Sequence, residues 1–307
     1  MVSVWQARQT WAELSDTERA FIQAPKLDGQ APPADWLQQL ARVIRFDQEV
    51  GTALKHLSRI TLALLLGVPV SAAGGFLLGL GLEVVLPGNS SPIDPGVFVG
   101  LGVVAAMGFV VATVASMIYR ASWNAVDVPD VLTETVVPLL QVLELELPAG
   151  APVSIQLDLT GTAAPDKKVD ERETGSWSAL PHRVDTWYRD PWLVLDAGLF
   201  DGSRLQLAIL DTMRKRKQTK RSLSGKRKTK WKTKIKRRIR ARLSVRSDRG
   251  LVGVAGEGVE VRPTQKRHHI TAELREQHTT ALCATPPDQV VALAARCFAH
   301  VAHETGA

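Results

Sequence analysis

The chain has 307 residues, enough for two domains, with 38 Lys and Arg against 31 Asp and Glu and a formal charge of +7. Its near-zero mean hydropathy averages over three unlike regions, which excludes one uniformly soluble composition. Half of the cations lie in residues 214–249, where nineteen face one acid, Asp248; this window therefore carries +18 and the rest of the chain −11.

Residues 1–24 are predicted helical, with Ser15 and Glu18 at capping-box spacing before Phe21 and Ile22. A second helix starts after Pro32-Pro33. Its apolar positions Trp36, Leu37, Leu40, Val43, Ile44 and Leu54 recur at helical spacing among Arg42, Arg45, Asp47 and Lys55. Such a helix packs on its own domain or lies at an interface, and it can run on into the segment that follows.

Residues 60–82 and 96–119 carry no charge, and each exceeds the roughly 20 residues that cross a bilayer as helix, so two transmembrane helices are expected. The first follows a polar segment of both charge signs, unlike a cleavable signal peptide. Residues 83–95 between them contain no Lys or Arg, whereas Arg42, Arg45, Lys55, Arg59 and Arg120 flank the hairpin on its other side. The positive-inside rule then places both termini in the cytoplasm, with a bacterial cytoplasmic membrane as the expected location. There Cys283 and Cys297 meet a reducing environment and need not pair.

Small residues stripe both spans: Gly67, Ser71, Gly75 and Gly79 in the first; Gly96, Gly100, Gly108, Ala112 and Ser116 in the second. They allow close backbone approach, either within the hairpin or between copies in a homo-oligomer, even a pore. Neither span holds an Asp, Glu, Lys, Arg or His, which argues against a transporter.

A polar connector, residues 120–142, carries Pro129 and Pro138. Leu143, Leu145 and Leu147 then alternate with Glu144 and Glu146 as in a strand, and a turn at 148–152 leads to a second strand through Val153, Ile155, Leu157 and Leu159. Residues 161–182 are polar and read as a loop. Residues 192–197 form a strand, Asp201-Gly202 gives a hairpin turn, and Leu205, Leu207 and Ile209 open the next strand. A final helix over 286–303 is marked by Thr285, Pro286 and the stripe Val290, Ala294, Cys297 and Val301. The expected class is an α+β membrane protein: an N-terminal helical segment (1–59), a transmembrane hairpin (60–119), the connector, and a mostly antiparallel β cytoplasmic domain (143–307) with a C-terminal helix.

The basic segment has a strand's period. From 230 to 246 the even positions are Lys230, Lys232, Lys234, Lys236, Arg238, Arg240, Arg242, Ser244 and Arg246, and the odd ones are mostly apolar. Residues 204–217 and 231–246 can pair around a turn at 222–226. A register setting Met213 opposite Ile235, Ile209 opposite Ile239 and Leu205 opposite Leu243 matches apolar to apolar and brings Asp211 against Arg237; a one-residue slip strands both charges. Strands of this length call for a bulge or a free-standing end, and the tip, cationic on both faces, is expected to project.

One or two lysines suffice to keep a sheet edge from aggregating; this many repel one another, and a counter-anion relieves the repulsion. The candidate polyanion-binding residues are Arg214, Lys215, Arg216, Lys217, Lys220, Arg221, Lys226, Arg227, Lys228, Lys230, Lys232, Lys234, Lys236, Arg238, Arg240 and Arg242, with His268 and His269 enlarging the cationic surface. Anionic headgroups of membrane lipids are the favoured ligand, because the membrane tether supplies proximity and each Lys or Arg near an anionic leaflet gains about 1 kcal/mol. An acidic protein or a nucleic-acid backbone shares the chemistry, but Trp231 is one aromatic where a stacking platform needs several.

No catalytic motif is legible. Gly225-Lys226 lacks both the upstream glycine and the Ser or Thr of a phosphate loop, and the glycines at 250, 253, 256 and 258 suit bends better than a dinucleotide fold. Cys283, Cys297, His300 and His303 offer zinc-binding atoms, but on an apolar helix a buried Cys and a partly exposed His are ordinary, so no metal or cofactor is assigned. Asp185, Asp190 and Asp196, near Trp187 and Trp192, read as turn and salt-bridge residues. The plan of two membrane helices followed by a cytoplasmic β module resembles, in architecture alone, effectors of bacterial anti-phage signalling, in which ligand sensing by the β module triggers membrane disruption. The expected function is non-enzymatic engagement of a polyanion, with a permeabilising effector and a tethered nucleic-acid binder as alternatives.

Overall fold

A computed structural model describes residues 4–85, 95–124, 128–175, 182–221, 224–248, 250–251, 258–278 and 284–301. The chain divides into two compact units, Met1–Ser15 with Val43–Asp127, and Asp16–Arg42 with Val128–Ala307. In chain order the first elements are α1 (Val4–Glu13), α2 (Asp16–Gln23), β1 (Lys26–Ala31), α3 (Pro33–Val85) and α4 (Pro95–Asn124). The helix expected after Pro32 and the first apolar run are thus one element of 53 residues.

In the first unit α3 and α4 run antiparallel. Thr61 and Ser116 share a hydrogen bond of 2.6 Å, and six residues further along α3 a Cβ on Gly67 would lie 2.8 Å from the Phe109 ring, so a glycine is needed at this crossing. Trp11, Phe46, Trp123 and Tyr119 form a chain of ring contacts 5.2 to 6.1 Å apart, with the Arg8 guanidinium 5.5 Å from the Tyr119 centroid. Both helices contain stretches long and apolar enough to cross a membrane, and only 17% and 11% of those stretches is buried. A core helix of a soluble protein would be mostly buried; here Leu62, Leu66, Val70, Leu101, Val104 and Ile118 are among many large apolar side chains left open.

The second unit is built on an eight-stranded antiparallel sheet. A single π-helical turn (Leu132–Val136) leads into α5 (Val137–Glu146); then follow β2 (Val153–Asp158), a 3-10 turn at Pro165–Lys167, β3 (Lys168–Thr174), β4 (His182–Gly198), β5 (Arg204–Arg221), β6 (Arg227–Arg246), β7 (Val259–Pro263), β8 (Arg267–His278) and α6 (Pro287–Phe298). The strand order is β1-β2-β4-β5-β6-β8-β7, with β3 also on β4. Strand β1 comes from the N-terminal segment and pairs along its whole length with β2. The start of α3 lies beside it: Trp36 donates to the Val153 carbonyl at 3.1 Å, and its indole comes so near Gly29 that a Cβ there would sit 3.2 Å away.

Four local expectations are corrected. Residues 143–147 end the helix α5 and form no strand; the helical repeat shows only in the longer window, where Val136, Leu139, Leu140 and Leu143 are buried and Leu145 is 85% exposed. Residues 161–182 contain β3, an edge strand so polar that it shows no apolar face. The final helix ends at Phe298, short of 303. Strand β4 is also much longer than residues 192–197, because a bulge between Asp190 and Leu193, accommodating Pro191, inverts its inward-facing positions.

The long hairpin adopts the expected register without a break. Leu205 lies opposite Leu243, Ile209 opposite Ile239, Asp211 opposite Arg237 and Met213 opposite Ile235, and pairing continues to Arg221 opposite Arg227. The inward face is packed by Leu139, Leu140 and Leu143 of α5, by Val290, Leu293 and Cys297 of α6, and by the odd-numbered apolar residues of β5 and β6. The tip is not a free-standing arm: β4 accompanies β5 as far as His182 opposite Thr219, with β3 beyond it.

Candidate polyanion-binding surface

Alternation fixes which way each cation points. Odd residues of β5 and β6 face the core as far as Met213 and Ile235, so Arg214, Arg216, Lys220 and the even series from Lys228 to Arg242 share the outer face. Lys215, Lys217, Arg221 and Arg227 fall on the other face, and Lys226 lies in the turn, where Gly225 adopts φ +78°.

The outer face divides into two zones. Towards the sheet centre the cations have acids: Glu273 on β8 accepts from Arg240 at 3.1 Å and Arg275 at 2.6 Å and lies 3.3 Å from Arg238. Burial works to raise the Glu273 pKa, but these arginines prevail and hold it below the usual range. Arg216 donates to Asp185 at 2.8 Å, and Arg183 binds the same carboxylate. At the tip cation faces cation: Arg214 lies opposite Lys234, Arg216, itself held by Asp185, opposite Lys232, and Lys220 opposite Lys228. Among the described residues no carboxylate pairs with Lys228, Lys230, Lys232, Lys234 or Lys236, and all five are exposed. Like charges directly across a strand pair are destabilising, so this ladder carries repulsion that an external anion would remove.

On the reverse side of the tip, Trp231 is 57% exposed, and the Lys215 and Lys217 ammonium groups lie 5.2 and 5.4 Å from its ring centroid. These two lysines are thus engaged by an aromatic face and stand apart from the ladder. Among the described residues no strand pairs with β6 between Arg227 and Lys234 on the side away from β5, since β8 begins its pairing at Ile235.

The remaining sequence candidates are placed as follows. Arg238 and Arg240 belong to the compensated zone, and Arg242 lies beyond them. His268 and His269 point to opposite faces of β8, each with a buried Nδ1 that has no hydrogen-bond partner. Burial, then Arg242 and Arg267, lower the His269 pKa, so it takes up a proton only below the ordinary histidine range and adds less charge than expected. Asp185 pairs with Arg183 and Arg216, Asp190 with Lys167 at 2.8 Å, and Asp196 with Arg204 at 2.5 Å.

Cys297 packs under the sheet, its thiol 3.6 Å from the Ala241 carbonyl, and burial pushes its pKa up to about 11; His300 follows the end of α6, while Cys283 and His303 lie outside the described residues. In the helical hairpin, Gly67 meets α4 and Ala112 and Ser71 are half-buried, but Gly100 and Gly108 are exposed with nothing within 4 Å of a Cβ; Gly75 and Gly79 lie on α3 where only the backbone is described. The face that α4 turns inward runs through Gly102, Ala106, Phe109, Thr113 and Ser116, a series offset from the glycines that catch the eye in the sequence. Compared with known proteins, the chain matches no family model, no curated protein and no solved structure.

Proposed function

We propose that this protein is a non-enzymatic integral membrane protein, anchored by α3 and α4, whose cytoplasmic β unit binds anionic lipid headgroups or an acidic partner through the tip of the β5–β6 hairpin. The observation that carries this reading is the run of exposed lysines without an acid partner, Lys228 to Lys236 on β6, on an outer face where Arg216, Arg238 and Arg240 are each matched by an acid. The open apolar flanks of α3 and α4, and the Tyr119–Trp123 cluster at the charged end of the helical pair, support the anchor. Reconstituted in nanodiscs of neutral lipid, the protein should bind added phosphatidylserine-containing vesicles. Replacing Lys228, Lys230, Lys232 and Lys234 by Gln should reduce that binding by two or more orders of magnitude at low salt, since each lysine near an anionic surface is worth about 1 kcal/mol. Unchanged binding would refute the lipid reading.

A second reading, assembly of α4 against other copies and permeabilisation of the membrane, is favoured by the outward-facing, uncovered Gly100 and Gly108. It requires that induced expression depolarises cells and that Gly100→Leu with Gly108→Leu suppresses the effect.

A further inference from the structure

At the end of the sheet away from the hairpin tip, the outer face forms a basin of about 820 Å³, within the size range of small-ligand sites. Its floor is a continuous polar row across strands. Ser154 lies opposite Asp196, Asp196 opposite Gln206, and Gln206 opposite Arg242; one step along, Ser244 lies opposite His269. The one acid among the residues lining the basin is already neutralised, because Asp196 accepts from Arg204 at 2.5 and 2.7 Å and from Gln206 at 2.7 Å. Arg242 and Arg267 have no carboxylate partner among the described residues, and the His269 Nδ1 between them is buried without a hydrogen bond. Two guanidinium groups and the His269 ring line a concave space that the fold itself leaves unfilled, and planar bidentate donors of this kind match phosphate oxygens.

We propose that this basin binds a small phosphorylated anion, gripped by Arg242 and Arg267 with His269 and Ser244 as hydrogen-bonding partners. The site differs from the tip in kind: it is a concave basin, it uses arginine and histidine where the ladder uses lysine, and it has room for an organic group beyond a phosphate. It stands whether or not the tip binds lipid.

The test titrates full-length protein in neutral detergent with inorganic pyrophosphate at constant ionic strength, by calorimetry, with short-chain phosphatidic acid as a second probe. Saturable binding is expected, weakened at least tenfold by Arg242→Gln with Arg267→Gln and changed less than about twofold by Lys230→Gln, Lys232→Gln and Lys234→Gln; tenfold corresponds to one strong charged contact. The tighter of the two probes identifies a soluble phosphate or a headgroup as the source. Ser244→Asp places a carboxylate inside the basin and should abolish pyrophosphate binding without lowering the thermal midpoint, which separates occupancy from misfolding. Binding that does not saturate, that survives loss of both arginines, or that falls with the tip lysines instead would overturn the proposal.

Discussion

The Asp211–Arg237 pair offers the sharpest test of how the β unit is held together. The two residues lie directly opposite on β5 and β6, and neither side chain has any exposure. Arg237 donates through Nε and Nη2 to the two Asp211 oxygens at 2.8 Å each and through Nη1 to the Thr285 hydroxyl at 2.9 Å, while its guanidinium lies 5.4 Å from the Trp192 centroid. A buried pair of this geometry contributes little net stability relative to apolar residues of the same volume, but breaking it strands a charge in the core at about 3–5 kcal/mol. Asp211→Leu and Arg237→Met should each cost that much. In a unit of about two hundred residues every kcal/mol moves the midpoint by roughly 2–4 °C, so each single variant should melt about 6–20 °C lower. The double variant should return to within about 1 kcal/mol of the parent or exceed it. Thermal unfolding of the full-length protein in detergent, followed by tryptophan fluorescence, reads all four corners of the cycle. A double variant costing the sum of the singles would show that the charges do not neutralise each other and refute the reasoning.

Further outcomes follow from single contacts. Gly67→Leu should loosen the α3–α4 hairpin by about 1–3 kcal/mol through overpacking against Phe109, and Phe109→Ala should rescue it; cross-linking between Cys introduced at Thr61 and Ser116 reports the change. Asp158, bonded by Thr160, Lys167 and Lys26 strongly enough to outweigh burial, has its pKa lowered from 3.8 to about 2. Because the folded value lies below the unfolded one, its contribution is complete above about pH 4 and is lost as pH falls towards 2, so Asp158→Asn should flatten acid unfolding in that window. Cys297, buried and with its thiol pushed up to about 11, should resist iodoacetamide at pH 8 in the folded protein and react on unfolding, as read by peptide mass spectrometry; labelling in the native state would contradict its packing under Ala241.

What could be read in advance was whatever one face of one element encodes. The hairpin register followed from residues 204–246 alone, because apolar spacing and the single Asp211–Arg237 match leave one solution, and the uncharged runs of α3 and α4 announce themselves by length. The misreadings share a cause. Leu143, Leu145 and Leu147 alternate over five residues, but their partners Val136, Leu139 and Leu140 lie upstream, beyond the short window. Strands β1 and β3 sit at the margins of the sheet, where exposure removes the apolar alternation that marks a strand. Trp36 and Gly29 meet through tertiary packing that no local pattern predicts. The basin was invisible for a further reason: Gln206, Arg242, Arg267 and His269 become neighbours only once the β5–β6 and β6–β8 registers are both fixed, and the second of these depends on a connection rather than a tight turn.

The two anion-binding sites proposed for this unit arise from one property of β6. Its odd positions serve the core from Ile235 to Val245, and this burial fixes the register to which every even position is subject. Once fixed, the cations cannot rearrange to avoid one another; they can only be matched from neighbouring strands or left for a ligand. In the middle of the strand β8 supplies Glu273, and the charges are settled internally. At the tip no such acid arrives, because the described part of β8 reaches no further than Ile235, and at the other end Asp248 pairs with Arg246 while Arg204 and Gln206 already occupy Asp196, which leaves Arg242 without one. The ends differ in shape: an open ladder of lysines suits a broad, sequence-tolerant anionic surface, whereas the arginine-lined concavity suits one compact anion. Adding an acid at the tip, for example Gln218→Glu opposite Lys230, should therefore stabilise the fold while weakening vesicle binding and leaving the basin unchanged.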